Sequence, residues 1–188
     1  MPELFMGLSA WEGPALLWIQ EFVRRDWLDP IVGFYTTLGN SGALWIVLCL
    51  ALLAFPKTRR AGVAGLLALV CSLLLTNGIL KHLAQRVRPW LLFEELFPLV
   101  YEGDPNSFPS GHTSAAFAAA VAWARTLPRR WMKAVGLVMA ALMGLSRLYV
   151  GVHFPVDVLC GALAGSLCGL LGWKLLLNIE KKRGGTLT

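Results

Sequence analysis

Charge is scarce in this chain. Only 15% of its 188 residues are Asp, Glu, Lys or Arg, against 56% hydrophobic, which is far too apolar for an ordinary soluble domain. Acidic residues number 11, and they form no carboxylate cluster of the kind a Mg²⁺ site needs, so no metal or other cofactor is expected. The four cysteines, Cys49, Cys71, Cys160 and Cys168, all lie within apolar runs without metal-ligand spacing and read as reduced packing residues. No nucleic-acid-binding module, low-complexity segment or long internal repeat is visible. The start has no basic region followed by an apolar core and a small-residue cleavage site, so no cleaved signal peptide is expected. These absences leave a single-domain integral membrane protein.

What is present is a series of long apolar runs. The fold class expected is all-α: a polytopic membrane helix bundle of about five to six transmembrane helices with an N-terminal interfacial helix. Leu8 to Val23 carries Glu12, Pro14, Gln20 and Glu21 and predicts an amphipathic helix lying at the membrane interface rather than a span. Residues 1–27 form this segment, 28–178 the membrane core and 179–188 a basic cytoplasmic tail. Ala43 to Phe55 is short for a bilayer, so it borrows from residues 31–42 across a break at Gly39–Gly42. Further spans are expected over 61–84, 111–124, 131–150 and 155–178.

The net charge of +6 sits mainly in short connections. Under the positive-inside rule, the 57–60 turn, the 125–133 turn and the 181–183 tail fall together on the cytoplasmic side. The 85–108 loop and the 151–154 turn then face outward, and only Arg24 and Arg25 dissent. In the last span Gly161, Gly165 and Gly169 recur every fourth residue, as do Gly136, Ala140 and Gly144 in the preceding one, a spacing that lets helix backbones approach closely.

The polar residues are few but grouped. Pro155 suits the first turn of a helix, and Asp157 then lies at the positive helix end beside His153. A carboxylate holding one ring nitrogen of a histidine fixes its tautomer and makes the other nitrogen more nucleophilic. Arg147, closing the preceding helix, offers a permanent planar cation suited to phosphate. Lys81 and Arg88 are seven residues apart and share a face with Asn77 and Gln85 if the helix continues. Read singly, they could equally be snorkelling anchors. Ser110 is an expected N-cap whose following N–H groups form an anion site, Gly111 lets a ligand approach the backbone, and His112 can donate a proton from the first turn. The charge-based topology brings all of these to one membrane face. Cations, a helix N-terminus and two histidines suit phosphoryl transfer, in which neutralising the phosphate oxygens does most of the work.

Three motifs carry a resemblance. K-x6-R-P at Lys81–Pro89, P-S-G-H at Pro109–His112 and S-R-x5-H-x3-D at Ser146–Asp157 together resemble the type-2 phosphatidic acid phosphatase family, whose superfamily includes vanadium haloperoxidases and bacterial acid phosphatases. The resemblance covers roughly residues 28–178. It implies that His153 is the nucleophile of a phosphohistidine mechanism, that Asp157 orients it, and that His112 protonates the leaving group and then activates water. It further implies that Lys81, Arg88, Ser110, Gly111 and Arg147 hold the phosphate oxygens. His82 belongs to no motif and is set aside as structural or interfacial.

The expected activity is therefore a membrane lipid phosphatase acting at the extracytoplasmic face of a bacterial cytoplasmic membrane. Undecaprenyl diphosphate is the favoured substrate, since an outward site suits recycling of that carrier; phosphatidylglycerol phosphate and phosphatidic acid are the alternatives. A non-catalytic lipid-binding or transport protein of the same fold would be expected to lack one of the motif residues, and none is lacking. A vanadate-dependent peroxidase is disfavoured by the membrane-embedded chain. The expected partners are the lipid phosphate and surrounding membrane lipids, with no nucleic acid and with homo-oligomerisation left open. Residues 90–108, with Trp90, Glu102 and Asp104 among them, are expected to border the headgroup.

Overall fold

The computed structural model describes residues 2–185. Apart from one isolated backbone bridge, Val87 to Asn106, the described elements are helical. In chain order they are α1 (Pro2–Trp18), α2 (Asp29–Leu38), α3 (Ala43–Leu53), α4 (Arg59–Ala84), α5 (Gly111–Thr126), α6 (Arg130–Tyr149) and α7 (Pro155–Arg183). Three of them, α4, α6 and α7, are each long and apolar enough to cross a membrane. Helices α2 and α3 meet that test only as a pair, bent by 53°. The bend falls where Ser41 and Gly42 take left-handed conformations, so the expected span over 31–55 is a broken one.

Helix α5 is the axis of the bundle. At 16 residues it rises about 24 Å, short of a full bilayer core. It is wrapped by α4, α6 and α7 instead of lipid, which its alanines permit: Ala116, Ala118, Ala119, Ala120 and Ala122 are all fully buried. The glycine series of α7 meets it directly. A Cβ on Gly161 would lie 2.6 Å from the Ser110 carbonyl oxygen, one on Gly165 2.2 Å from that of Ser114, and one on Gly169 2.7 Å from that of Ala118. Backbones at such distance leave no room for side chains, which is the packing role the spacing predicts. Where α4 faces α5, the hydroxyl of Ser114 bonds those of Ser72 and Thr76 at 2.7 and 2.8 Å, joining the helices through polar groups paired with one another.

Helix α4 ends at Ala84, where the expected span over 61–84 ends. Because Gln85 adopts a left-handed conformation (φ 48°), the helix does not continue, so Arg88 is not two turns above Lys81 on one helix and Gln85 is exposed. The segment Leu73–Leu80 of α4 is wound as a π-helix, a departure that widens the turn just below Lys81. Helix α1, for its part, turns Ser9, Gly13 and Leu16 inward with Glu12 half-buried, while the large apolar Met6, Trp11 and Trp18 are exposed. That order, inverted relative to a helix bathed in water, suits an element with lipid on its outer side. Arg24, just beyond it, donates to the carbonyl oxygens of Tyr149 and Phe97 at 2.8 and 2.6 Å, so it is tied into the end of α6.

Candidate active site

The motif residues converge at one end of the bundle although they come from four separate segments. Ser110 caps α5, its hydroxyl accepting the N–H of Thr113 at 3.4 Å and the Thr113 hydroxyl at 2.9 Å. Its own N–H donates to the carbonyl oxygen of Asp157 at 3.0 Å, so the N-termini of α5 and α7 are locked side by side. Gly111 faces Asn77 of the π-wound segment, where a Cβ would come within 2.9 Å of the Asn77 amide oxygen. One cavity of about 550 Å³ is lined by Lys81, Arg88, Gly111, His112 and His153 together with Asn77 and Glu102.

His153 stands in the turn between α6 and α7 and is 1% exposed. Its Nε2 lies 3.4 Å from Arg88 Nη1, on the cavity side. Its Nδ1 lies 3.6 Å from Asp157 Oδ2, beyond hydrogen-bond length. The expected Asp–His contact is therefore an approach rather than a formed bond. Asp157 spends its oxygens elsewhere: Oδ2 accepts the N–H of Phe154 at 2.8 Å, and Oδ1 accepts from Arg86 at 2.7 Å. Burial, and then the charges of Arg88, Arg147 and Lys81, push the His153 pKa well below its usual value, opposed by the Ser107 backbone.

The cations are held by main chain and acids. Arg88, 1% exposed, donates from Nε to the Asp104 carbonyl oxygen at 2.7 Å and from Nη1 to that of Val152 at 3.0 Å. Arg147, fully buried, bonds the Thr36 hydroxyl at 2.5 Å and makes a short ion pair with Glu102. Glu102 also lies 3.9 Å from Arg88. Lys81 pairs with Asp104 at 2.7 Å. Burial alone would raise the Asp104 carboxyl, but hydrogen bonds from Lys81 and the Asn106 N–H, with the Lys81 and Arg88 charges, hold it below the usual range. Lys81 and Arg88 thus share the site as expected, brought there by the loop after Gln85 instead of by a continuous helix.

His112 projects from the first turn of α5, its Nε2 2.9 Å from Asn40 Oδ1. Asn40 sits in the α2–α3 break, and the sequence reading passed over it, as it did Thr36. Also unforeseen was Arg86, within the x6 stretch of the first motif and 2% exposed, which bonds Asp157, Glu12 and Ser9. A second, polar cavity of about 370 Å³ lies on the other side of His112 and Arg147, lined also by Thr36, Thr37, Asn40 and Ser41. Among the described residues no group of three His, Cys, Asp or Glu is placed to hold a metal ion.

The chain is similar to several known proteins. A Sulfolobus acidocaldarius protein named undecaprenyl-diphosphatase is 34% identical over 158 residues, covering 84% of this chain and 72% of that protein. The crystal structure of Aquifex aeolicus LpxE superposes with a TM-score of 0.75 at 31% identity, covering 86% of this chain and 93% of that one. That of a transmembrane PAP2-type phosphatidylglycerolphosphate phosphatase from Bacillus subtilis gives 0.71 at 30% identity, over 95% and 94% of the two chains. Residues 62–181, which carry all three motifs, match the PAP2 superfamily as a whole, and this integral membrane chain belongs to it.

Proposed function

We propose that the protein hydrolyses a lipid phosphate through a phosphohistidine on His153, with undecaprenyl diphosphate as its principal substrate. The observation that carries the lipid assignment is the shape of the larger cavity. From the cluster of Lys81, Arg88, His112 and His153 it continues past Ile46, Leu66, Leu69, Val70 and Leu73, an apolar groove between α3 and α4. A hydrocarbon tail in that groove delivers its phosphate to the cations.

In this reading Nε2 of His153 attacks phosphorus because Nδ1 is turned toward Asp157. The N–P bond forms as the P–O bond to the leaving group breaks, and His112, steadied by Asn40, gives that oxygen a proton. Water then attacks the phosphohistidine while His112 takes its proton, releasing phosphate and restoring Nε2. Lys81, Arg88, Arg147 and the α5 N-terminus at Ser110–Gly111 neutralise the equatorial oxygens, with Glu102 and Asp104 giving up their cations to the substrate.

The polar cavity beside Arg147 has room for the additional polar groups of a diphosphate, which supports the diphosphate over a simple monoester. Phosphatidylglycerol phosphate is the second reading, supported by the Bacillus subtilis neighbour. The site faces outward in a bacterial cytoplasmic membrane, a placement supported by the basic turns at the opposite end. The test is phosphate release from detergent-solubilised undecaprenyl diphosphate, phosphatidylglycerol phosphate and phosphatidic acid, with EDTA present. The diphosphate should be turned over fastest and EDTA should matter little; a strict requirement for Mg²⁺ or a preference for phosphatidic acid would overturn the assignment.

A further inference from the structure

Arg86 and Glu12 belong to none of the three motifs' fixed positions, yet they hold the residue on which the nucleophile depends. Arg86 is almost fully buried and doubly committed. Nη1 donates to Asp157 Oδ1 at 2.7 Å, and Nη2 donates to Glu12 Oε2 at 2.6 Å and to the Ser9 hydroxyl at 3.0 Å. Its guanidinium lies over the Phe154 ring, 4.0 Å from the centroid. Glu12 reaches further: its Oε1 accepts the N–H of Val156 at 2.6 Å, in the first turn of α7. The N-terminal helix thus places one carboxylate between the guanidinium and the helix end that carries Asp157.

We propose that Glu12 and Arg86 act as a positioning pair for Asp157, making the N-terminal helix part of the phosphatase site. Arg86 fixes one carboxylate oxygen so that the other stays aimed at His153 Nδ1. Glu12 sets the charge. An Arg86–Asp157 pair alone is neutral; with Glu12 the group carries one net negative charge toward His153. That charge opposes the cations on the cavity side, Lys81, Arg88 and Arg147, and stabilises the positive imidazole ring that forms when Nε2 bonds to phosphorus.

This inference rests on the phosphohistidine reading, and its test separates the two. Glu12→Gln keeps one acceptor, for the Val156 N–H, removes the charge and replaces the oxygen that accepts from Arg86 by an amide NH2. Its kcat should fall roughly 10–100-fold, the range seen when a partner orienting a functional histidine is lost. The loss should be equal on a lipid phosphate and on water-soluble p-nitrophenyl phosphate, with KM and thermal unfolding in detergent little changed. Arg86→Gln should cost at least as much, and the double variant no more than Arg86→Gln alone, because the two act as a unit. Trp11→Ala, which alters the exposed face of the same helix, should leave p-nitrophenyl phosphate turnover unchanged.

Unchanged kcat in folded Glu12→Gln, a loss confined to the KM of the lipid substrate, or failure of that variant to fold would each overturn the positioning role and leave α1 as a structural or membrane-docking element. Wild-type protein inactive on every substrate would instead remove the phosphatase reading, and this one with it.

Discussion

Both ends of the bundle are basic, and they use that charge in opposite ways. At the end formed by the α3–α4 and α5–α6 connections, Lys57, Arg129 and Arg130 are exposed to solvent. The ion pair there joins Arg60, about one-third exposed, to Glu180 through two bonds of 2.8 and 2.9 Å. At the other end Arg86, Arg88 and Arg147 are each no more than 2% exposed, and each is hydrogen-bonded. Removing a guanidinium from water costs several kcal/mol, so a fold buries three only where partners offset the cost. A count of basic residues does not separate the two ends. Burial does: one end leaves its cations largely exposed, and the other holds them buried on hydrogen-bonded partners.

The sharpest way to break the comparison is to remove the groups that only the buried end possesses. His153→Ala should abolish turnover on every substrate, since no neighbour can replace the covalent step; multiple-turnover phosphate release checks it. His112→Ala should cost on the order of 10²–10⁴-fold on a lipid substrate, whose alkoxide or phosphate leaving group needs a proton. With p-nitrophenyl phosphate the same variant should give a burst of phenolate followed by slow turnover, because the phenolate leaves unaided while the water step still lacks its base. A burst from His153→Ala and none from His112→Ala would reverse the two roles.

A smaller effect is expected from Arg147→Lys. The charge remains, but a lysine has no planar fork with which to keep the Thr36 bond while turning another N–H to a phosphate oxygen. The loss of one or two charge-assisted hydrogen bonds predicts roughly a 10–100-fold drop in kcat/KM. Least of all should come from the exposed end: Arg60→Gln should leave kcat unchanged. The Glu180 side chain is 7% exposed and would lose both bonds from Arg60, so the effect should appear as a lowered melting temperature instead. An Arg60 variant with impaired kcat, or an Arg147 variant without it, would erase the distinction between the ends.

Much of this was legible in the sequence because the motifs bring their residue types in fixed local spacings. Ser110 caps α5, Pro155 opens α7, and His112 and His153 line one cavity, as their flanking residues predict. What the sequence hid were contacts between remote segments. Arg86 falls in the unspecified x6 stretch of the first motif, which gives no sign of a partner; the left-handed Gln85 ends α4, and Arg86 bonds Asp157, 71 residues away. Glu12 meets Val156 across 144 residues, a pairing no local pattern encodes. A signal did exist: an ionisable residue in an otherwise apolar segment is a functional candidate by default, and Glu12 is one. Asn40 was hidden by its own context, since Gly39–Gly42 reads as a break and breaks are rarely searched for partners.

The glycine contact between α5 and α7 has a mechanical consequence. Ser110 and Asp157 are joined by a backbone hydrogen bond at the site end, and the close approach at Gly161, Gly165 and Gly169 continues along the pair. The two helices therefore behave as a splint. A bilayer thicker or thinner than the protein tilts membrane helices to match, and these two must tilt together. The N-terminal ends of the two helices keep their spacing as they do so. Lipid composition can then alter the tilt of the pair without altering the distance between Ser110 and Asp157.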